Sequence, residues 1–239
     1  MRWILARVRI DSGTITAMDF VFMLTRSDQT VTDGLDVLDD IRSVGLTHIG
    51  FKDVGVPPEV LRELNRRIKD MGAISYLEVV STTVEASLQS ARVARDIGID
   101  RLLGGTQVDE VLAILAGSAT QYLPFPGRPF DHPTKLGGSA QQVEDDCRKF
   151  RAKGCAGVDL LAYRATEADP IELVKAARRG IGDGTLLVAG VVKSPQQIRA
   201  LAAAGADSFT VGSAAFDGSY APNVGSLRSQ LRAVLDACS

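Results

Sequence analysis

Two charged residues stand near the ends of neighbouring apolar runs, and together they make the strongest chemical signal in the chain. The runs are His48-Ile49-Gly50-Phe51-Lys52 and Tyr76-Leu77-Glu78-Val79-Val80. Strand side chains alternate between two faces. Ile49 and Phe51 therefore share a face suited to a helix layer, and Lys52 lies on the other with His48 and Gly50. Leu77 and Val79 likewise leave Tyr76, Glu78 and Val80 on the opposite face. If the runs are adjacent parallel strands, Lys52 and Glu78 meet on the inner face near its upper rim. Burying both charges is costly unless they pair. One reading is a salt bridge that plugs the interior. The other is a working lysine, as electrophile or Schiff-base nucleophile, with Glu78 as base or orienter. A Schiff base needs a neutral amine, and a carboxylate neighbour works against that by raising the lysine pKa.

A second group of candidates surrounds this pair. Asp159 lies in residues 157–162 on the face shared by Leu161 and Tyr163. An inward orientation puts Asp159 in the middle layer as a third catalytic candidate or a buried structural acid. Tyr163 then reaches the rim, where it hydrogen-bonds a ligand or caps the core. Asp53 suits a turn, Asp19 lies too low for catalysis, and His48 suits a packed core. Residues 126–138 form the longest loop, rich in proline and glycine, with the composition of a lid or substrate collar. Within it Arg128 is the expected anion contact, and His132 is either a general acid–base or an exposed spectator.

The third group is backbone. Residues 186–189 are apolar and run into Gly190-Val191; residues 208–211 run into Gly212-Ser213. Strands that end in glycine before a helix leave N–H groups free at one rim, which suits a phosphate. Ordinary β–α turns are the alternative. Between these runs Ser194 and Pro195 have the types of a helix N-cap and first position, and Gly205 stops that helix.

Positioning these groups requires a repeating scaffold. Strands are expected over residues 19–25, 47–52, 74–80, 101–103, 121–125, 157–162, 186–189 and 208–211. Helices follow each, including residues 108–115, 140–153 and 226–237. Residues 3–10 suggest a further strand at the barrel bottom. Eight strands alternating with helices at roughly 25–30-residue spacing argue for a parallel sheet. With no linker or change of composition, residues 1–239 read as one α/β domain, a single (β/α)8 TIM barrel. An open doubly wound sheet is the alternative.

Composition removes several classes of function. The chain has 239 residues, 45% of them hydrophobic, and a formal net charge of −2, which gives no basic surface for nucleic acid. Three cysteines without metal or CxxC spacing fit reduced thiols and a cytoplasmic setting. No apolar run reaches the ~18 residues of a membrane span. No metal or dinucleotide cofactor is expected, and a homo-oligomer is left open.

The segment Val211-Gly212-Ser213-Ala214-Ala215-Phe216-Asp217-Gly218 resembles the final strand and turn of the ribulose-phosphate-binding barrels. That superfamily includes histidine-biosynthesis isomerases, ribulose-phosphate epimerases and ketogulonate-phosphate decarboxylases. The resemblance implies a substrate phosphate held by backbone amides at Gly190, Val191, Gly212 and Ser213. Val191 departs from the second glycine often found after strand seven. The isomerases' catalytic aspartates on strands one and five have no counterparts in Met23-Leu24-Thr25 or Pro124-Phe125-Pro126. The decarboxylases' Asp-x-Lys-x-x-Asp spacing is absent around Lys52. The resemblance covers the barrel plan and its phosphate end. It implies an enzyme acting on a small phosphorylated sugar-like or carbonyl metabolite by isomerase, epimerase or lyase chemistry. The competing expectation is a non-catalytic barrel that binds a phosphorylated ligand or a partner protein, favoured if Phe125 and Phe130 fill the barrel top.

Overall fold

The computed structural model describes residues 18–81 and 83–238. The strand expected over residues 3–10 lies outside the described residues. Eight short apolar runs form the barrel: β1 Asp19–Met23, β2 His48–Lys52, β3 Ile74–Val79, β4 Arg101–Gly104, β5 Gln121–Leu123, β6 Gly157–Leu160, β7 Thr185–Val188 and β8 Ser208–Val211. Helices α1 Gly34–Ile41, α2 Pro58–Asp70, α3 Val84–Ile97, α4 Val108–Leu115, α5 Ala140–Ala152, α6 Pro170–Ile181 and α7 Pro195–Ala204 connect them. The chain finishes with the short α8 Ser213–Phe216 and with α9 Leu227–Asp236.

The strands run in the order β6-β7-β8-β1-β2-β3-β4-β5, and all their ladders are parallel. Two further hydrogen bonds join the ends of this sheet: Ala156 N to Tyr122 O and Asp159 N to Pro124 O, both 3.0 Å. They bring β6 onto β5 and curl the sheet into a nearly closed (β/α)8 barrel. The open doubly wound alternative is thereby excluded.

Alternation sorts side chains as the strand pattern dictates. Phe20, Phe22, Ile49, Phe51 and Leu77 are buried in the outer layer against the helices, where Phe22 meets Phe216 of α8 at 5.4 Å. Inside, β2 presents His48, Gly50 and Lys52 in ascending order. His48 Nδ1 lies 2.9 Å from Tyr76 Oη, which also accepts from Arg101 at 2.7 Å. These bonds tie His48, Tyr76 and Arg101 into one low polar layer, which Arg101 extends to Gln121 at 3.1 Å. Gly50 has no room for a side chain, since a Cβ there would lie 2.5 Å from Met23 Sδ.

Three segments depart from the expected elements. β1 ends at Met23, and the chain turns at once into a small antiparallel hairpin of Thr25–Arg26 with Gln29–Thr30. β6 ends at Leu160, and residues Ala162–Arg164 form a 3-10 turn. Residues 126–138 are not an irregular loop but carry a second hairpin, Arg128–Phe130 with Lys135–Gly137.

Helix α7 keeps its expected signals. Ser194 accepts a hydrogen bond from Gln197 N, Pro195 occupies the first turn, and Gly205 ends the helix with φ +96°. α7 follows the turn that carries Gly190 and Val191, and its Gln197 Nε2 donates to Val191 O at 3.2 Å. Ser194→Ala should cost about 1 kcal/mol of stability, the usual value of an N-cap. Urea denaturation measures it, with an expected drop in midpoint and no change in slope.

Candidate active site

The register of β2 against β3 pairs Lys52 directly with Glu78. Lys52 Nζ lies 3.4 Å from Glu78 Oε2, as the alternation requires. It lies closer, at 2.5 Å, to Asp28 Oδ1. Asp28 sits at the tip of the first hairpin with φ +65°, a left-handed conformation that aspartate tolerates better than most residues. Thr30 fastens the hairpin to the end of β2. Its hydroxyl donates to Lys52 O at 2.8 Å and accepts from Lys52 N at 2.7 Å. Arg164, on the 3-10 turn after β6, donates to Asp28 Oδ1 at 2.9 Å and to Thr134 O at 3.1 Å. Sequence reasoning missed both Asp28 and Arg164.

These contacts set the charge states. Burial alone would lower the Lys52 pKa, but Glu78 and Asp28 outweigh it and hold the ammonium charged above its ordinary 10.5. Burial would raise the Asp28 carboxyl, but Lys52 and Arg164 outweigh it and keep that carboxyl below 3.8. The neutral lysine that a Schiff base requires is therefore opposed on two sides.

The pair opens into a cavity of ≈ 110 Å³. Its walls include Asp28, Lys52, Glu78 and Arg164 on one side, and Gly190, Val191, Gly212 and Ser213 on the other. The two groups of sequence candidates, acid–base and backbone, thus share one space. The N–H groups of Gly190, Val191, Val192, Ser213 and Ala214 donate to no protein acceptor among the described residues. Gly190 has φ +124°, and a Cβ there would press on Tyr163 at 3.1 Å. Gly212 is equally confined, since its Cβ would lie 2.5 Å from Thr25 Oγ1.

The other expected residues are dispersed. Tyr163 is half-buried behind Gly190 and does not line the cavity. His132 approaches from the second hairpin, with Nδ1 3.8 Å from Asp28 Oδ2, and is 40% exposed. Arg128 does not reach the cavity; it pairs with Glu167 on the outer side of the hairpin. Asp159 lies beneath the cavity, wholly buried, and neither carboxyl oxygen has a hydrogen-bond partner. Burial first, and then the charge of Glu78, push its pKa well above 3.8, against the smaller opposing pull of Lys52 and Arg164. Asp53 is held by Val80 N, Ser81 Oγ and Ser90 Oγ, in keeping with a turn-stabilising role. Phe125 is buried and Phe130 partly exposed, and neither closes the Lys52 cavity.

No protein-family model matches the chain, and no curated protein matches it in sequence. Solved structures match its fold. Orotidine 5'-phosphate decarboxylase from Pyrococcus horikoshii OT3 superposes with a TM-score of 0.61 at 18% identity, covering 92% of this chain and 98% of that one. Thiamine phosphate pyrophosphorylase from Pyrococcus furiosus gives 0.60 at 12% identity, covering 94% and 98%. The native KDPGal structure gives 0.63 at 12% identity, covering 95% and 98%. At these identities the likeness establishes the barrel fold.

The opposite shifts of Asp28 and Asp159 have opposite consequences for stability. Asp28 has a lowered folded pKa, so its contribution is present above its ordinary pKa and is lost as pH falls through the lowered one. Asp159 has a raised folded pKa, so folding near neutrality must recover a proton that the unfolded chain has released. Its contribution therefore weakens as pH rises above 3.8. Asp159→Asn should raise the thermal midpoint at neutral pH, and the gain should shrink toward pH ~4. Thermal melts across this range measure it. A variant less stable than wild type at every pH would mean that Asp159 is ionised and paired.

Proposed function

We propose that the protein is an enzyme acting on a small phosphorylated carbonyl metabolite by proton-transfer or carbon–carbon lyase chemistry. One observation carries the reading: the free amides after β7 and β8 line the same cavity as Lys52, Asp28 and Glu78. Backbone N–H groups at such a rim suit an anion without the desolvation penalty of a buried cation. Arg164 adds positive charge on the same wall. A phosphate bound there directs the rest of a short substrate toward Lys52.

Lys52 then acts as an ammonium. In a site that excludes water, a fixed positive charge stabilises negative charge developing on a substrate oxygen or carbon. It can also deliver a proton to that carbon while Asp28 holds the amine in place. Glu78, 3.4 Å away, is the candidate partner base. This arrangement suits isomerisation, epimerisation or lyase reactions that pass through an enolate or carbanion. It does not suit imine chemistry, because both neighbours keep the lysine charged. The structural neighbours add support, since two of their names carry phosphorylated compounds.

Mass spectrometry of small molecules retained by the purified protein should identify a phosphorylated compound as the substrate. On that compound, Lys52→Ala should reduce turnover by ~100-fold or more, the scale of losing an acid–base or electrostatic group. Lys52→Arg should not restore it, because guanidinium is larger and does not give up its proton. Val191→Asp places a carboxylate at the exposed part of the rim and should weaken inorganic phosphate binding in calorimetry. Normal turnover by Lys52→Ala, or unchanged phosphate binding by Val191→Asp, would contradict the reading.

A further inference from the structure

A second cavity, of ≈ 190 Å³, opens on the same end of the barrel, above β3, β4 and β5. Its walls are mixed: Val79, Val80, Val84 and Phe125 from the barrel side and Pro129 and Phe130 from the second hairpin are apolar, while residues such as Ser87, Gln107 and Asp131 are polar. Val84 and Phe130 are among the few large apolar side chains left exposed, 56% and 37% respectively. A side chain that could fold inward and does not is losing hydrophobic stabilisation. Both of these flank one cavity, and it is the one beside the Lys52 centre.

Two glycines stand at the floor, Gly105 lining the cavity and Gly104 making room for the Phe125 ring that does. Gly104 has φ +79°, and a Cβ there would strike the Phe125 ring at 2.7 Å. Gly105 has φ +72°, and its Cβ would lie 3.2 Å from Ser87 Oγ and 3.4 Å from Tyr122 Oη. Both hydroxyls are buried and lack a hydrogen-bond partner. Ser87, 3% exposed, itself lines the cavity. An unpaired buried hydroxyl is costly enough to need an explanation. A ligand edge entering over Gly105 would supply one.

The topology joins this space to the first. Glu78 lines the Lys52 cavity, and the next residues of the chain, Val79 at the end of β3 and Val80 just beyond it, line the second. Arg164, in the first cavity, donates to the carbonyl of Thr134, in the second. From β7 and β8 through β2 to β4, the two cavities cross the barrel mouth.

We infer that the second cavity binds the end of the substrate farthest from its phosphate, and that this end is a flat apolar ring with a hydrogen-bonding group on its edge. This rests on the proposed function, which places the phosphate at β7 and β8. An enclosed apolar cavity of about 150 Å³ holds benzene; this one, at ≈ 190 Å³ and with polar as well as apolar walls, has room for a ring that carries a polar group. Phe125 and Phe130 supply aromatic walls, and Ser87 reads the polar edge. The substrate class is a phosphomonoester bearing such a ring rather than a plain aliphatic sugar phosphate.

Calorimetry with three probes tests this: propyl phosphate, 3-phenylpropyl phosphate and 3-(4-hydroxyphenyl)propyl phosphate. The ring should improve affinity over propyl phosphate by about tenfold or more, the value of burying an aromatic side chain's worth of surface. Phe130→Ala, at a partly exposed position that does not threaten folding, should remove most of that gain. Ser87→Ala should weaken only the hydroxyphenyl probe, by about fivefold, the scale of one hydrogen bond. Propyl phosphate itself should bind both variants as it binds the wild type. Equal affinity for the three probes, or a ring gain untouched by Phe130→Ala, would overturn the inference and leave the phosphate reading standing. If propyl phosphate fails to bind at all, the phosphate reading itself fails. Phenol soaked into crystals then reports on the second cavity separately, and its absence from the space beneath Phe130 would also overturn the inference.

Discussion

Lys52 carries its charge into a place where water scarcely reaches: its side chain is 6% exposed, and those of Asp28 and Glu78 are 3% and 6%. Removing one partner from a buried ion pair costs about 3–5 kcal/mol, because the remaining charge loses its compensation. The barrel mouth is arranged around that constraint. β1 stops at Met23 and folds into a hairpin that delivers Asp28 to the ammonium. Thr30 locks that hairpin to the backbone of Lys52 itself. Arg164 reaches over from the far side of the barrel and balances Asp28. A scaffold selected for stability alone would hold aliphatic side chains in these places.

The barrel interior divides accordingly along its axis. The lower polar layer of His48, Tyr76 and Arg101 is hydrogen-bonded within itself and faces no cavity of the upper rim. It reads as structural. The upper layer faces open space and holds paired charges, Lys52 with Asp28 and Glu78, beside backbone amides that donate to no protein acceptor among the described residues. Asp159 lies between the two, with neither carboxyl oxygen satisfied. This matches the general division of barrels into a stabilising bottom and a working top.

Much of this organisation was legible in the sequence, for identifiable reasons. Period-two alternation put Lys52 and Glu78 on one face, and consecutive strands of a parallel barrel had to bring them together. The Ser194-Pro195 and Gly205 signals fixed α7 and hence the turns on either side. Asp28 was not legible: in Thr25-Arg26-Ser27-Asp28-Gln29-Thr30 the only turn formers are Ser27 and Asp28, without the glycine, proline or asparagine that would mark a tight hairpin, and what brings Asp28 to Lys52 is tertiary. Arg164 was hidden by a boundary. Extending β6 to Ala162 keeps alternation going and sends Tyr163 to the rim, whereas the 3-10 turn after Leu160 rotates Arg164 in instead. Arg128 misled for a similar reason. In an irregular loop it could reach the cavity, but in a hairpin its register with Gly137 fixes it beside Glu167.

The central claim is that two carboxylates keep a buried lysine charged at the mouth of the barrel. NMR titration of Lys52, labelled at the ε-carbon and amine nitrogen and assigned with Lys52→Arg, tests it most directly. The account predicts that the Lys52 signals stay in the ammonium form through the pH at which ordinary lysines titrate, and move only above 10.5. A Lys52 that titrates below its ordinary value would mean that burial prevails over Asp28 and Glu78. The amine would then be neutral and nucleophilic at working pH, and the ammonium mechanism would be wrong.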